Sequence, residues 1–303
     1  MMTTETVTAA RIFRSIAAEL EETRRQVETQ LAAIEGQAVP RFASMTGSTV
    51  HHLFTVRGKY LRPSIVMLTA LATGKVSTST KKLLSSVAAA VELIHSASLV
   101  HDDIIDGADM RRDQPALNAV YGDKVAVLVG DLLYDQAFSL LAGLVELGHE
   151  RQIELFELLT STTRRMCLGE IYEDQIALSP ESVSFDDYLQ VIDYKTASLM
   201  ACCCTVSSIV VEADQDVRES AKSFGYHLGM SYQLVDDVND YDSVFLAPEI
   251  MLDRAVEEAN LAVKHLSCFE AGSYRSRLQD LPRLLLRRAE RSINTLQPQA
   301  HHA

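Results

Sequence analysis

Two short acidic runs share one spacing, because residues 102–106 and 236–240 both read D-D-x-x-D. On a helix this spacing places positions 1 and 5 on one face, one turn apart, with position 2 beside them. Three like charges so close together destabilise a bare helix, and near the end of a helix the macrodipole disfavours them further. A bound cation would offset this cost. Carboxylate oxygens suit Mg²⁺, which proteins commonly hold together with a substrate phosphate.

A solvated acidic helix end is the alternative interpretation of each run. Apolar residues lead into both, with Leu99 and Val100 before the first and Met230 and Leu234 before the second. A solvated face would not carry these residues. The sequence therefore favours two metal-binding carboxylate clusters.

An all-α fold with two Mg²⁺-binding carboxylate clusters also needs protein cations to hold a diphosphate. Arginine binds phosphate oxygens with two parallel donors, and lysine acts as a point charge. Taken singly, each basic residue is as readily a solvated surface group; their position relative to the acidic runs favours binding. The candidates are Lys59, Arg62, Arg111, Arg112, Lys195 with Thr196, and Gln233.

Helices must position all of these residues. The chain has only 13 Gly and 7 Pro in 303 residues, so chain breakers are few. We find no alternating strand pattern and no Asn-Gly turn, and we expect an all-α fold in a single domain spanning residues 1–303. Apolar residues recur at helical spacing over 8–35, 64–73, 80–106, 119–146, 151–178, 186–211, 214–242, 250–266 and 281–296.

The charge and composition exclude some classes of function. A net charge of −13 repels a phosphate backbone, so we expect no nucleic-acid binding. No run approaches the roughly 18 apolar residues of a membrane span, and the first residues lack the pattern of a signal peptide. Five cysteines without a C-x-x-C pair favour a reducing compartment. We therefore expect a cytoplasmic protein without a transmembrane segment.

The chain resembles the trans-isoprenyl diphosphate synthase (polyprenyl synthetase) family, long-chain type, over about residues 15–242. Residues 57–63, R-G-K-Y-L-R-P, resemble the family's G-G-K-x-x-R-P motif. Residues 92–106, followed by Met-Arg-Arg at 110–112, resemble its first aspartate-rich region. Later signatures follow in the family's order, namely Gly169-Glu170, Lys195-Thr196 and residues 232–240.

This resemblance implies long helices around a deep central cavity, usually in a homodimer. It implies that isopentenyl diphosphate is joined head to tail to an allylic diphosphate, farnesyl or geranylgeranyl. Metal ions and protein cations stabilise the departing diphosphate, the isopentenyl double bond attacks the allylic carbocation, and a proton is lost. Two or three Mg²⁺ ions are the implied cofactors.

The resemblance also assigns roles to residues. It implies that Asp102, Asp106 and Asp236 ligate Mg²⁺, supported by Asp103 and Asp240. The allylic diphosphate would be held by Arg111, Lys195 with its neighbour Thr196, and Gln233. Isopentenyl diphosphate would be held by Lys59, Arg62, His95 and Arg112.

Product length has a local indicator in this family, because bulky aromatics four and five residues before the first aspartate close the cavity. Here those positions are Ser98 and Ala97, which are small. The resemblance therefore implies an open cavity floor and a long-chain product.

The chain departs from the family pattern at three places. Arg57 replaces the first glycine of G-G-K, and Asp113 replaces the glycine after Arg-Arg. After Asp242 the family's Gly-Lys loop and its diphosphate-binding lysine are missing, since the only later lysine is Lys264. Losing one diphosphate cation is expected to raise the ionisation barrier by about 3–4 kcal/mol.

These departures keep two alternatives open. The first is a non-catalytic or regulatory subunit of a heteromeric prenyl diphosphate synthase, which the missing segment favours and the intact acidic runs oppose. The second is a class I terpene cyclase. Its second metal motif usually differs from D-D-x-x-D, and an aromatic content of 6% without Trp would serve a long-lived carbocation poorly.

Overall fold

The computed structural model describes residues 11–41, 43–54, 58, 60–74, 76–179, 183–240 and 248–296. Helices make up almost all of this part of the chain, which confirms the all-α prediction. In order they are α1 (Ala17–Gln37), α2 (Ala43–His52), α3 (Leu61–Ala72), α4 (Thr78–Ile105), α5 (Leu117–Tyr121), α6 (Asp123–Ala142), α7 (His149–Leu178), α8 (Phe185–Ile192), α9 (Ser198–Val210), α10 (Gln215–Asp240), α11 (Pro248–His265) and α12 (Ser273–Leu296).

Short irregular elements account for the differences from the expected pattern. The expected helix over 119–146 is divided at Gly122, whose φ of 81° ends α5. The expected helix over 186–211 is interrupted by a π-helical turn, Asp193–Ala197. The described residues also contain one short antiparallel hairpin, in which β1 (Met110–Arg111) pairs with β2 (Gln114–Pro115). Strands of two residues are too short to show an alternating pattern.

The chain forms two compact units. One comprises Ala17–Met67 and Ser77–Leu159 and is called the Asp102 unit; the other comprises Met1–Ile16, Leu68–Val76 and Thr160–Ala303 and is called the Asp236 unit. Each contains one D-D-x-x-D motif. The single-domain assignment stays a prediction.

The Asp102 unit is built on α4. Ser77 caps the start of this helix by accepting a hydrogen bond from the Thr80 backbone at 3.1 Å. Helices α1 and α6 pack against α4, and Lys81 joins Glu19 of α1 at 2.7 Å. The helix ends at Ile105, so the first acidic motif occupies its last turn, as the sequence predicts.

The Asp236 unit is built on α10, which packs against α9, α11 and α12. Two glycines of α10 allow close approach to its neighbours. A Cβ on Gly225 would lie 2.5 Å from the Met200 carbonyl oxygen, and one on Gly229 would lie 2.6 Å from Ala197 Cα. The helix ends at Asp240, so the second acidic motif also occupies a last turn.

Among the described residues, two helices have the length and apolar composition of a membrane span, which is weak evidence for one. They are α4, whose most apolar window is 78% buried within the protein, and α6, whose corresponding window is 39% buried. Core helices of globular proteins meet the same criteria, and α4 is such a helix. On α6 the exposed apolar residues are Val127, Leu128 and Leu132.

Candidate active site

A pocket of about 70 Å³ opens in the Asp102 unit, beside the second half of α4. Its wall combines residues from α4, from the segment before α3 and from the β1–β2 hairpin. Among the lining residues are Tyr60, Glu92, His95, Asp103, Arg111 and Arg112. Four of these were predicted from the sequence as site residues.

His95, one of these lining residues, is in direct contact with Arg62 of α3. Arg62 Nη1 lies 2.8 Å from His95 Nε2. Burial, reinforced by the positive charges of Arg62, Arg112 and Arg111, holds the pKa of His95 well below its usual value. The imidazole is therefore neutral at pH 7, and Nε2 accepts the hydrogen bond from the guanidinium.

Glu92 lies one turn before His95 on α4 and is 6% exposed. Burial raises the pKa of this carboxyl, and the charges of Arg62 and Arg112 oppose that shift. Burial and the nearby Glu92 likewise raise the pKa of Tyr60 to about 12. Glu92 is the nearby counter-charge, and the motifs did not predict it as a site residue.

Gly58 supplies space beside Arg112. A Cβ at this position would lie 2.9 Å from Arg112 Nη1 and 3.7 Å from Glu92 Oε1. The glycine therefore allows the guanidinium to lie against the main chain here. Two residues next to it, Arg57 and Lys59, lie outside the described residues.

Asp103 is the buried member of the first acidic motif, at 4% exposure. Its Oδ1 accepts a hydrogen bond from Arg111 Nε at 2.7 Å, and Arg111 Nη2 donates to the same oxygen. Asn118 Nδ2 donates to the Asp103 carbonyl at 3.3 Å. The motif's second carboxylate thus fixes Arg111.

Asp102 and Asp106 lie one turn apart at the end of α4. The Asp106 N–H donates to the Asp102 carbonyl at 2.8 Å, which closes the last turn. Asp102 is partly buried, and Asp106 is exposed. The spacing therefore produces the shared face that the sequence predicts.

In the Asp236 unit, a chain of hydrogen bonds leads from the π-helical turn to the second acidic motif. Thr196 Oγ1 donates to Gln233 Oε1 at 2.7 Å, and Gln233 Nε2 donates to Asp237 Oδ1 at 2.7 Å. Tyr188 donates its hydroxyl to Asp237 Oδ2. Thr196 and Gln233, both predicted, are therefore in contact. Asp236 precedes Asp237 on α10, and the Asp240 side chain lies outside the described residues.

Burial sets the ionisation of this chain. It raises the pKa of Asp237 to about 6, against the lowering effect of the hydrogen bonds from Tyr188 and Gln233. Burial and the Asp237 charge also raise the pKa of Tyr188, so its hydroxyl keeps its proton and acts as a donor. The second carboxylate is again held by protein side chains.

Lys195 lies on the π-helical turn and pairs with two carboxylates of α7. Its Nζ lies 3.0 Å from Glu170 Oε2, and it also donates to Glu173. A Cβ on Gly169 would lie 2.7 Å from the Lys195 backbone nitrogen, so α7 and this turn are in close contact.

The polyprenyl synthetase family model matches residues 44–245 of this 303-residue chain. The chain belongs to the polyprenyl synthetase family. The resemblance and the prenyltransferase class predicted from the motifs are thereby confirmed.

Individual relatives agree with this assignment. This chain is 34% identical over 231 residues to a prenyl transferase from Synechocystis, and the match covers 76% of this chain and 67% of that protein. It is 29% identical over 302 residues to solanesyl diphosphate synthase 2 of Arabidopsis thaliana, covering 80% and 70%. Its fold matches that of a polyprenyl synthase from Caulobacter crescentus, solved with calcium and isoprenyl diphosphate, with a TM-score of 0.81, 24% identity and coverage of 92% and 97%.

Three contacts of this polyprenyl synthetase were not predicted from its sequence. Glu92 could have been found, because it lies one helical turn before the predicted His95. Tyr188 is 49 residues from its partner Asp237, and nothing in either segment signals the pairing. Glu173 lies 22 residues before its partner Lys195, and only the fold brings them together.

Proposed function

We propose that this polyprenyl synthetase is a Mg²⁺-dependent trans-polyprenyl diphosphate synthase with a long-chain product. It condenses isopentenyl diphosphate with an allylic diphosphate, farnesyl or geranylgeranyl. The observation that carries the proposal is a pocket lined by His95, Arg111 and Arg112, in which His95 contacts Arg62. Guanidinium groups beside a neutral imidazole suit a diphosphate.

In this proposal isopentenyl diphosphate binds to Lys59, Arg62, His95 and Arg112. The neutral His95 accepts from Arg62 through Nε2, so its Nδ1 carries the proton and can donate to an anion. Glu92 balances part of the positive charge while the pocket holds no anion.

The allylic diphosphate binds to Arg111, Lys195 and Gln233, with Thr196 orienting the Gln233 amide. Arg111 is already fixed by Asp103. Lys195 pairs with Glu170 and Glu173, so a diphosphate would share or compete for its ammonium with these carboxylates. These side chains stabilise the charge that develops on the leaving diphosphate.

The metal ligands proposed are Asp102 and Asp106 of the first motif, and Asp236 and Asp240 of the second, for two or three Mg²⁺ ions. The donor chemistry fits, because these are carboxylate oxygens one helical turn apart within each motif. When bound, Mg²⁺ would neutralise negative charge on the departing diphosphate. Asp103 and Asp237 act as supports, because protein donors already engage them.

A long-chain product is proposed from the small residues Ala97 and Ser98. Ala97 is fully buried, so an aromatic side chain there would not fit without displacing its neighbours. Ser98 is partly buried, and its Oγ donates to the His95 carbonyl at 2.9 Å. Ser98→Phe is therefore the sharper variant for testing product length.

The proposed function also includes an oligomeric state and a cellular location. We propose a homodimer, or pairing with a heteromeric partner subunit, supported by the exposed Val127, Leu128 and Leu132 on α6. The five cysteines all lie in the described residues and form no disulfide there, which is compatible with a reducing, cytoplasmic location.

A turnover assay tests the function. The full chain is incubated with Mg²⁺, isopentenyl diphosphate and farnesyl or geranylgeranyl diphosphate, and the products are sized. Asp102→Ala should abolish product, whereas Asp186→Ala, an exposed aspartate of α8, should not. Ser98→Phe should shorten the product, and Ser98→Ala should leave it long. Chelation of Mg²⁺ should stop turnover reversibly.

The opposite result has a defined meaning. Absence of product with both primers and added Mg²⁺ would overturn the stand-alone synthase and favour the subunit alternative. Addition of a catalytically active homologous synthase would then test whether this chain alters its product length.

A further inference from the structure

The π-helical turn Asp193–Ala197 carries two of the proposed diphosphate-site residues, Lys195 and Thr196. A π-helical turn contains one more residue than the corresponding α-helical turn and is frequently found at functional sites. It persists only where surrounding contacts favour it over the regular helix. The direction of the Lys195 side chain therefore depends on whatever holds this turn.

Arg165 of α7 contacts the first two residues of the turn. Its Nη2 donates to both carboxylate oxygens of Asp193, at 2.9 and 2.8 Å. Its guanidinium also lies over the Tyr194 ring, 4.2 Å from the ring centroid. One side chain thus combines a charge-assisted hydrogen bond with a cation–π contact on adjacent residues.

The same face of α7 approaches the turn at three further points. Gly169, one helical turn after Arg165, lies against the Lys195 backbone. Tyr172 packs against Tyr194 with ring centroids 5.5 Å apart. Glu170 pairs with the Lys195 ammonium. Arg165 is the residue of this group whose side chain donates to Asp193, the first residue of the turn.

We propose that Arg165 is a positioning residue that holds the π-helical turn, and through it directs Lys195 and Thr196 toward the allylic diphosphate. The inference rests on the proposed function for what Lys195 binds. The contacts that carry it, to Asp193 and Tyr194, are separate from the acidic motifs. Neither of these two contacts involves the Lys195 ammonium or Gln233.

Lysine should replace Arg165 poorly. It keeps the positive charge, but a single ammonium cannot lie flat on the Tyr194 ring while donating to Asp193. Arg165→Met removes both interactions and keeps much of the side-chain length. Arg164→Met is the matched control, because Arg164 is the exposed neighbour on α7.

Hydrogen–deuterium exchange on the full chain provides a readout independent of turnover. In Arg165→Met we expect the amides of 193–197 to exchange at least about tenfold faster, and those of α4 and α11 to be unchanged. Asp193→Asn should give the same local pattern. The double variant should add little, because both changes break one contact.

Kinetics then test the consequence for the site. Arg165→Met should lower kcat/KM for the allylic diphosphate by about 10- to 100-fold, since small displacements of a binding group have effects of this size. The KM for isopentenyl diphosphate should stay within about twofold. Arg165→Lys should lie between Arg165→Met and the unmodified protein, and Arg164→Met should match the unmodified protein.

Failure of the Arg165 inference and failure of the proposed function would give different results. Unchanged exchange at 193–197 in Arg165→Met would overturn the inference whether or not the protein turns over. Faster exchange throughout the Asp236 unit would also overturn it, because Arg165 would then support the fold in general. Faster local exchange with unchanged kinetics would show that the turn does not direct Lys195. Absence of turnover by the unmodified protein would instead overturn the proposed function, and the exchange pattern would still decide whether Arg165 holds the turn.

Discussion

Arg111 Nε donates to Asp103 Oδ1 at 2.7 Å, so the second carboxylate of the first D-D-x-x-D motif is engaged by the protein itself. The second motif has the same arrangement, because Asp237 accepts from Tyr188 and from Gln233. Position 2 thus organises neighbouring side chains in both motifs. The three aspartates of such a motif are therefore not equivalent, although their residue type is the same.

Asp103→Asn should reduce both stability and activity. The change removes the charge that holds Arg111, while the guanidinium keeps 38% side-chain exposure and can turn to solvent. We therefore expect a loss of only about 1–2 kcal/mol in the free energy of unfolding, below the value for a fully buried pair. Product formation should fall by about 10- to 100-fold, because Arg111, a proposed diphosphate donor, would be misplaced. Urea unfolding and the turnover assay measure the two effects.

The control for Asp103→Asn is Asp113→Asn. Asp113 lies two residues after Arg111, is exposed and has a φ of 62°, which asparagine tolerates. Asp113→Asn should change the free energy of unfolding by no more than about 0.5 kcal/mol. Equal losses in both variants would show that the hairpin as a whole, and not the Asp103–Arg111 contact, is sensitive.

Tyr188→Phe should move the acidic limb of the pH–activity profile upward. The pKa of Asp237 is raised to about 6, and the Tyr188 hydrogen bond works against that rise. Protonation of Asp237 weakens the Gln233 contact and reduces negative charge beside Asp236, so activity should fall below about pH 6. Without the hydroxyl, Asp237 holds its proton to higher pH.

Asp237 also affects stability with a defined sign. Its pKa in the folded protein exceeds the value of 3.8 expected when unfolded, so its stabilising proton is retained at low pH and lost as the pH rises through about 6.

The control for Tyr188→Phe is Tyr226→Phe, which removes a hydroxyl from the same helix as Asp237. It should leave the acidic limb of the pH–activity profile in place. An unchanged limb in Tyr188→Phe would show that Asp237 does not control it.

Glu92→Gln should stabilise the protein more at pH 7.5 than at pH 4.5. Burial raises the pKa of Glu92, so the folded state binds its proton more tightly than the unfolded state. The stabilisation from that proton is present below the unfolded pKa and is lost as the pH rises. Glutamine removes this dependence. Thermal unfolding of the unmodified protein and of Glu92→Gln at the two pH values measures this dependence. If the gain in melting temperature of Glu92→Gln were smaller at pH 7.5 than at pH 4.5, the raised pKa of Glu92 would be contradicted.

The sequence predicts those parts of the site that depend on local spacing. Asp102 and Asp106 share a face because residues four apart in a helix must do so, and the motif ends its helix as expected. Arg62 and His95 are in contact although they are 33 residues apart in the sequence. Only the family resemblance assigned them to the same site. Periodicity alone carries no information on such pairs.

Local patterns failed where packing decides the backbone. Helix α2, Ala43–His52, has few apolar residues and shows no clear stripe. The π-helical turn lies inside a segment whose composition suits a continuous helix, and it is in close contact with α7 and α10. Tyr188 and Asp237 are in contact because α8 and α10 pack together, which no motif in either helix indicates.

Gly229→Ala should destabilise the protein and lower its activity. The added Cβ would lie 2.6 Å from Ala197 Cα and 3.0 Å from Met200 Cβ, so the helix backbones must move apart. Overpacking of this kind costs about 1–3 kcal/mol, which exceeds the gain of about 1 kcal/mol in helix propensity. Because Ala197 ends the turn that carries Thr196, the Thr196–Gln233 hydrogen bond should also lengthen.

Gly36→Ala is the matched control for this substitution. Gly36 lies in α1, and a Cβ there would meet no atom of the described chain within 4 Å. The alanine should therefore leave activity unchanged and raise stability by up to about 1 kcal/mol through helix propensity alone. Urea unfolding of both variants separates the two effects, since only the Gly229 variant should lose stability. Equal stabilisation by both alanines would mean that α10 and the π-helical turn can separate without cost, and the close approach at Gly229 would then have no role in holding Thr196.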